Sequence, residues 1–65
     1  MSHHLQRKRK IILDFIASRI KDAGAKKKDH IDTHQLENLV IWNYGTTRQK
    51  ASELIDIVLE VINLE

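Results

Sequence analysis

At 65 residues the chain can form one domain, close to the lower limit for a core that is stable alone. With 42% apolar and 31% charged residues it is expected to be globular rather than disordered, and its lack of cysteine is compatible with a cytoplasmic protein. No apolar run approaches the roughly 20 residues of a membrane span, and no signal peptide follows the basic residues 7–10, so a membrane-embedded or exported protein is not expected.

The net charge of +2 conceals a strong asymmetry between the two halves of the chain. Residues 1–28 carry nine Lys and Arg against two Asp, which gives +7. Residues 29–65 carry two basic residues against seven acidic ones, which gives −5. This polarity favours an anionic partner for the first half, and it equally permits two copies that dock basic half against acidic half.

The first predicted helix spans about residues 5–23. Its apolar residues recur at helical spacing along one stripe: Ile12, Ile16, Ile20 and Ala23. Gly24 is expected to end this helix, because glycine adopts the left-handed conformation of a helix C-terminus without steric cost. A basic loop that contains residues 26–28 follows.

The second predicted helix spans about residues 33–44. Asp32 is a favourable N-cap with Gln35 at the third helical position, and Ile31 can pack on Leu36 as a hydrophobic staple. Gly45 is expected to end the helix. The apolar stripe consists of Leu36, Leu39, Val40 and Tyr44.

The third predicted helix follows at once and spans about residues 47–63. Thr46 is the expected N-cap, and Gln49 three residues later completes a capping box. One apolar stripe runs along the helix: Ala51, Leu54, Ile55, Val58, Leu59 and Ile62.

Two helices joined by a tight glycine turn follow the plan of a helix-turn-helix. Gly45 is followed six residues later by Ala51 and three further on by Leu54, which resembles the bihelical unit of prokaryotic and archaeal DNA-binding domains. Residues 45–55 also resemble the start of the recognition helix in archaeal winged-helix proteins. Ile41 stands where that family usually has a small residue, which favours a wider helix crossing. No β-hairpin wing fits after the third helix, so it is missing or belongs to a longer parent chain.

The sequence therefore predicts an all-α fold, a three-helix helix-turn-helix domain in which the first helix braces the other two. The expected core consists of Ile12, Phe15, Ile16, Ile20, Leu36, Leu39, Val40, Tyr44, Ala51, Leu54, Ile55, Val58 and Ile62. The third helix is apolar beyond its stripe, which favours a homodimer. The expected dimer contacts are Ile57, Val61 and Leu64, with Trp42 as a further candidate.

The resemblance implies that the N-terminus of the third helix enters the major groove of double-stranded DNA. The residues then aimed at base edges are Thr47, Arg48, Gln49 and Ser52. The expected phosphate contacts are the basic residues Arg7, Lys8, Arg9, Lys10, Lys26, Lys27, Lys28 and Lys50. An acidic stripe of Glu53, Asp56 and Glu60 would repel phosphates, so only the first turn and a half of the helix is expected to enter a groove.

The function expected from these features is non-enzymatic DNA binding, by a transcription regulator or an accessory module of replication or chromatin. No motif of an enzyme is present, and His30 and His34 straddle the Asp32 cap rather than share a helical face, so neither a metal nor another cofactor is expected. The rival interpretation is a helical protein-interaction module or a subunit of a larger complex. The acidic face and the surplus apolar surface of the third helix favour that rival.

Overall fold

The computed structural model describes residues 3–62, with side chains from Arg7 onward. Within this range the chain is all-α: helix α1 (His3–Ala23), a 3₁₀ turn (Lys28–His30), helix α2 (Thr33–Tyr44) and helix α3 (Arg48–Ile62), with no strand. The all-α prediction is confirmed for these residues. Helix α1 begins two residues before its predicted start and α3 one residue after, while the predicted end of α3 at residue 63 lies outside the described residues.

Helix α1 is the longest element, with 21 residues. At 1.5 Å per residue it is about 31 Å long, which is most of the 37 Å longest dimension of the molecule. It ends at Gly24 as predicted, with φ +66° and an N–H that donates to the carbonyl of Lys21 at 3.0 Å. The two ends of α1 therefore lie at opposite ends of the molecule.

Helix α2 begins and ends at the residues that the sequence indicates. The carboxylate of Asp32 accepts a hydrogen bond from the backbone N–H of Gln35 at 3.0 Å, which is the predicted N-cap. Gly45 adopts the left-handed conformation (φ +67°), and its N–H donates to the carbonyl of Ile41 at 2.9 Å. These two local contacts fix the length of α2 independently of its packing.

The predicted start of α3 is wrong, because Thr47 caps the helix instead of Thr46. The Oγ1 of Thr47 accepts from the N–H of Lys50 at 3.1 Å, and its carbonyl accepts from the N–H of Ala51 at 2.9 Å. The Thr46 hydroxyl is buried and has no hydrogen-bond partner in the described part of the chain. Both threonines are favourable N-cap residues. The side chain of Thr46 is partly buried in the turn, and Thr47 caps the helix.

Among residues 7–62, the core is formed by ten buried side chains from all three helices: Ile12, Ile16, Ile20, Leu36, Val40, Ala51, Leu54, Ile55, Val58 and Leu59. The largest fully buried side chains, Ile16, Val40 and Ile55, come one from each helix. Nine of the ten belong to the predicted core, and Leu59, which the prediction placed on the same stripe of α3, is the tenth.

Four predicted core residues are less buried than expected. Phe15, Leu39 and Tyr44 are only partly buried and pack against the core from outside. Ile62 is 38% exposed, because it borders an open cavity beside Ala17 in the last described turn of α3.

Phe15 and Tyr44 are half-buried because they form a contact at the edge of the core. Their rings meet edge to face with centroids 5.3 Å apart, and the guanidinium of Arg19 lies 5.4 Å from the centroid of Phe15. An aromatic pair of this kind contributes about 0.5–1.5 kcal/mol beyond its buried area. It joins the middle of α1 to the last turn of α2.

The two threonines of the connection provide a test of the revised cap. Thr47→Val should lower the free energy of unfolding by about 1 kcal/mol, because it removes the oxygen that accepts from Lys50. Thr46→Val keeps the shape and removes a buried hydroxyl without a partner, so stability should be unchanged or rise by about 1 kcal/mol. Urea denaturation followed by circular dichroism measures both. A larger loss for Thr46→Val than for Thr47→Val would contradict the assignment.

Candidate functional site

An open cavity of about 320 Å³ lies between the N-terminal half of α1 and the start of α3. We call it the α1–α3 cavity; its lining residues are Lys8, Arg9, Ile12, Thr46, Lys50 and Leu54. Residues four apart on a helix lie on the same face. Lys8 therefore lies one turn before the buried Ile12, and Lys50 lies one turn before the buried Leu54. Each helix thus supplies a cation beside an apolar residue of the core.

Three basic side chains line this cavity, and we call Lys8, Arg9 and Lys50 the cation cluster. Among the described residues, Lys8 and Arg9 make no ion pair, and Lys50 makes a long one with Glu53 (Nζ to Oε1, 3.9 Å) between two exposed side chains. The N-terminus of α3 adds the partial positive charge of its free backbone N–H groups. The cavity is therefore a region of concentrated positive potential.

Arg48, a predicted base contact, is held against α2. Its Nη1 donates to Oε1 of Glu37 at 2.9 Å, and its Nη2 donates to Oδ1 of Asn38 at 2.6 Å. The Glu37 side chain is only 16% exposed, so this ion pair is better shielded from water than a typical surface pair. Sequence reasoning missed Glu37 and Asn38, since their proximity to Arg48 depends on how α2 and α3 pack.

The other predicted base contacts differ in how strongly contacts within the protein restrain their side chains. The hydroxyl of Thr47 caps α3, and Ser52 is partly buried. Gln49 is exposed, and its amide Nε2 donates only a long hydrogen bond of 3.4 Å to Glu53. Gln49 is therefore the predicted base contact that is least restrained by the protein.

The two basic runs, which were predicted together as phosphate contacts, lie far apart. Residues 7–10 are in the first half of α1, and residues 26–28 follow its C-terminal end. The helix from Lys10 to Ala23 separates them by about 20 Å at 1.5 Å per residue. Lys10 also forms an exposed ion pair with Asp14 at 3.1 Å. The fold thus brings Lys8 and Arg9 to the start of α3 and leaves residues 26–28 at the other end of α1.

The predicted dimer contacts are largely exposed but do not form one compact patch. Trp42 is 86% exposed and Val61 is 79% exposed, whereas Ile57 is partly buried. Trp42 precedes the turn into α3, and Val61 lies 13 residues after the first residue of that helix, which is about 20 Å along its axis. Leu64 lies outside the described residues. An interface that used all of them would span most of α3.

Residues 3–62, with side chains from Arg7 onward, contain neither a cluster of metal ligands nor a membrane-spanning helix. No three histidine, aspartate or glutamate side chains of this range come together as metal ligands would. No helix of the range has both the length and the apolar character that a bilayer crossing requires.

Comparison with protein-family models, with curated proteins and with solved structures finds no match for this chain.

The contact between Arg48 and α2 predicts a measurable contribution to stability. Arg48→Ala should lower the free energy of unfolding by about 1–2 kcal/mol, because Glu37 and Asn38 each lose a charge-assisted hydrogen bond. Lys50→Ala is the matched control: its ion pair is long and exposed, and its loss should cost at most about 0.5 kcal/mol. Urea denaturation of both variants checks this, and equal losses would show that the Arg48 contact does not join the two helices.

Proposed function

We propose that the protein binds double-stranded DNA, without enzymatic activity, as a transcription regulator or an accessory module of replication or chromatin. The observation that carries the proposal is the position of the cation cluster beside the N-terminus of α3. Phosphate contacts supply most of the affinity of such proteins and fix their orientation on the duplex. A second helix that follows a tight turn is the element that a helix-turn-helix places in the major groove.

The charges of α3 limit how it can dock. Its first turn carries Arg48, Gln49 and Lys50, whereas the exposed side chains of Glu53, Asp56 and Glu60 follow along the helix. Phosphates would be repelled by these carboxylates. We therefore propose that α3 approaches DNA with its N-terminus, so that the acidic stretch stays outside the groove.

Base reading is proposed to be limited, with Gln49 as its main residue and Thr47 and Ser52 as lesser contacts. A glutamine amide can pair with N6 and N7 of adenine. Arg48 has five N–H donors and uses two nitrogens against α2, so in the proposed complex it holds the first turn of α3 in place and offers only its remaining donors to DNA. Phosphate contacts then dominate the affinity.

The salt dependence of DNA binding tests this proposal. Three phosphate contacts by the cation cluster predict a slope of about −2.7 for log K against log salt, or a loss of about 40-fold in affinity between 50 and 200 mM salt. The triple variant Lys8→Ala/Arg9→Ala/Lys50→Ala should bind weakly and with a slope closer to zero. Fluorescence anisotropy of a labelled random duplex measures both quantities.

The control for this experiment is Lys26→Ala/Lys27→Ala/Lys28→Ala, which removes the same charge at the other end of α1. Under the proposal it keeps most of the slope. Equal losses in the two triple variants would show that total charge matters and the position of the cluster does not. No binding by the wild-type chain even at 50 mM salt would refute the DNA proposal.

A second candidate function, a protein-interaction module that forms a homodimer, is favoured by a different observation. Trp42 and Val61 are large apolar side chains with at least three quarters of their surface exposed. Tryptophan is among the residues found most often as an anchor of protein interfaces. In this proposal the acidic stripe of α3, which lies to one side of Val61, faces the basic half of a second copy.

Val61→Glu tests the dimer. Because Val61 makes little contact within its own chain, the substitution should leave the helical content unchanged and convert a dimer into a monomer, as measured by light scattering. His34→Glu places the same side chain at an exposed position in the first turn of α2, outside the basic half and away from Trp42 and Val61, and should leave the dimer intact. If Val61→Glu leaves the molar mass of a dimer unchanged, α3 does not provide the interface.

A further inference from the structure

The α1–α3 cavity combines two kinds of surface, and DNA binding uses only one of them. The cation cluster can neutralise phosphates that lie across the opening. The rest of the cavity lining is mostly apolar: the aliphatic stems of the basic side chains lie beside Ile12 and Leu54, which are themselves almost fully buried. We call this lining the apolar floor; the phosphates of a duplex would not cover it. We propose that the cavity binds a small organic anion, with a phosphate on the cation cluster and an aromatic or aliphatic body on the floor.

The size of the cavity fits such a ligand. Its volume of about 320 Å³ is at the lower end of the roughly 300–1,000 Å³ found for small-molecule sites. Sites of this class are lined by apolar side chains with a few polar groups that fix the ligand's orientation. A phosphate ester with a body of one or two rings has the corresponding shape.

The charged part of the site comes from separate elements, which favours an anion held from several sides. Lys8 and Arg9 approach from α1, and Lys50 approaches from α3. Lysine and arginine donate charge-assisted hydrogen bonds to phosphate oxygens, and arginine can donate two in parallel. None of the three has a close ion pair among the described residues, so an anion does not have to displace a strong internal partner.

The hydroxyl of Thr46 supplies an independent observation at the same place. Thr46 lines the cavity, and its Oγ1 is buried without a hydrogen-bond partner in the described residues. A buried hydroxyl in this state is costly, and the cost is removed when a partner arrives. In the proposed complex the Thr46 side chain rotates so that its hydroxyl donates to an anionic oxygen in the cavity.

Direct titration with 1-naphthyl phosphate tests the proposal, followed by the amide chemical shifts of the isotope-labelled chain. Inorganic phosphate tests the charge alone, and 1-naphthol tests the apolar body alone. Naphthyl phosphate should bind about tenfold more tightly than either, since each half of the site contributes. The shifts should concentrate at Ile12, Thr46, Lys50 and Leu54. Equal affinity for inorganic phosphate, or shifts centred on residues 26–28 instead, would overturn the proposal.

Matched variants locate the binding. Lys8→Ala/Lys50→Ala should weaken naphthyl phosphate by about tenfold or more, because two charged donors are lost. Lys26→Ala/Lys27→Ala removes the same charge elsewhere and should change the affinity by less than about twofold, since distant exposed charges are screened. Thr46→Val, which is expected to fold as stably as the wild type, should weaken binding by about threefold or more through loss of one hydrogen bond. Equal weakening by the two lysine pairs would overturn the site.

This inference does not rest on the proposed DNA function, because the titration contains no DNA. Failure of the organic anion to bind leaves the salt dependence of DNA binding as a separate measurement. Failure of DNA to bind leaves the direct titration unaffected. The two proposals share the cation cluster and differ in the apolar floor, which only the small anion uses.

Discussion

The fold depends on the packing of one small core, in which the largest fully buried side chains, Ile16, Val40 and Ile55, come one from each helix. Because all three helices bury side chains in this core, the position of α1 across α2 and α3 follows from it. Along α1 the buried stripe runs from Ile16 through Ile12, and its next position toward the N-terminus is Lys8. Along α3 the corresponding position before the buried Leu54 is Lys50. The cations of the α1–α3 cavity therefore continue the stripes that form the core.

The arrangement of charges beside the core explains why the side chains that line the α1–α3 cavity carry a net positive charge. Glu37 lies on α2 close to the start of α3. It pairs with Arg48, and Asn38 accepts the second hydrogen bond of the same guanidinium. The first carboxylate of α3 is Glu53, beyond its first turn, and it forms only a long ion pair with Lys50 (3.9 Å). Arg48, the one arginine predicted to contact bases, therefore joins α3 to α2. Its partner Glu37 is the one carboxylate of α2.

Features of the fold and the candidate site that depend on contacts between near neighbours in the sequence could be predicted, and features that depend on tertiary packing could not. The bounds of α2 follow from Asp32 and Gly45, whose capping contacts lie within four residues. Buried stripes follow from helical periodicity, which is why most of the core was predictable. The choice between Thr46 and Thr47 as cap could not be made, because both have the same local preference and the turn's path decides between them. The contact of Arg48 with Glu37 spans eleven residues and depends on tertiary packing.

The cation cluster bears on the choice between the two proposed functions, nucleic-acid binding and protein interaction alone. Lys8, Arg9 and Lys50 bring like charges to one opening, and because their side chains are exposed the repulsion between them is weak and is screened by salt. A protein that used only its acidic face and exposed apolar residues would gain nothing from three basic side chains in this place. Departures from local optimum are expected where function requires them. An anionic partner, whether duplex phosphates or a small organic anion, removes the repulsion and makes the cluster favourable.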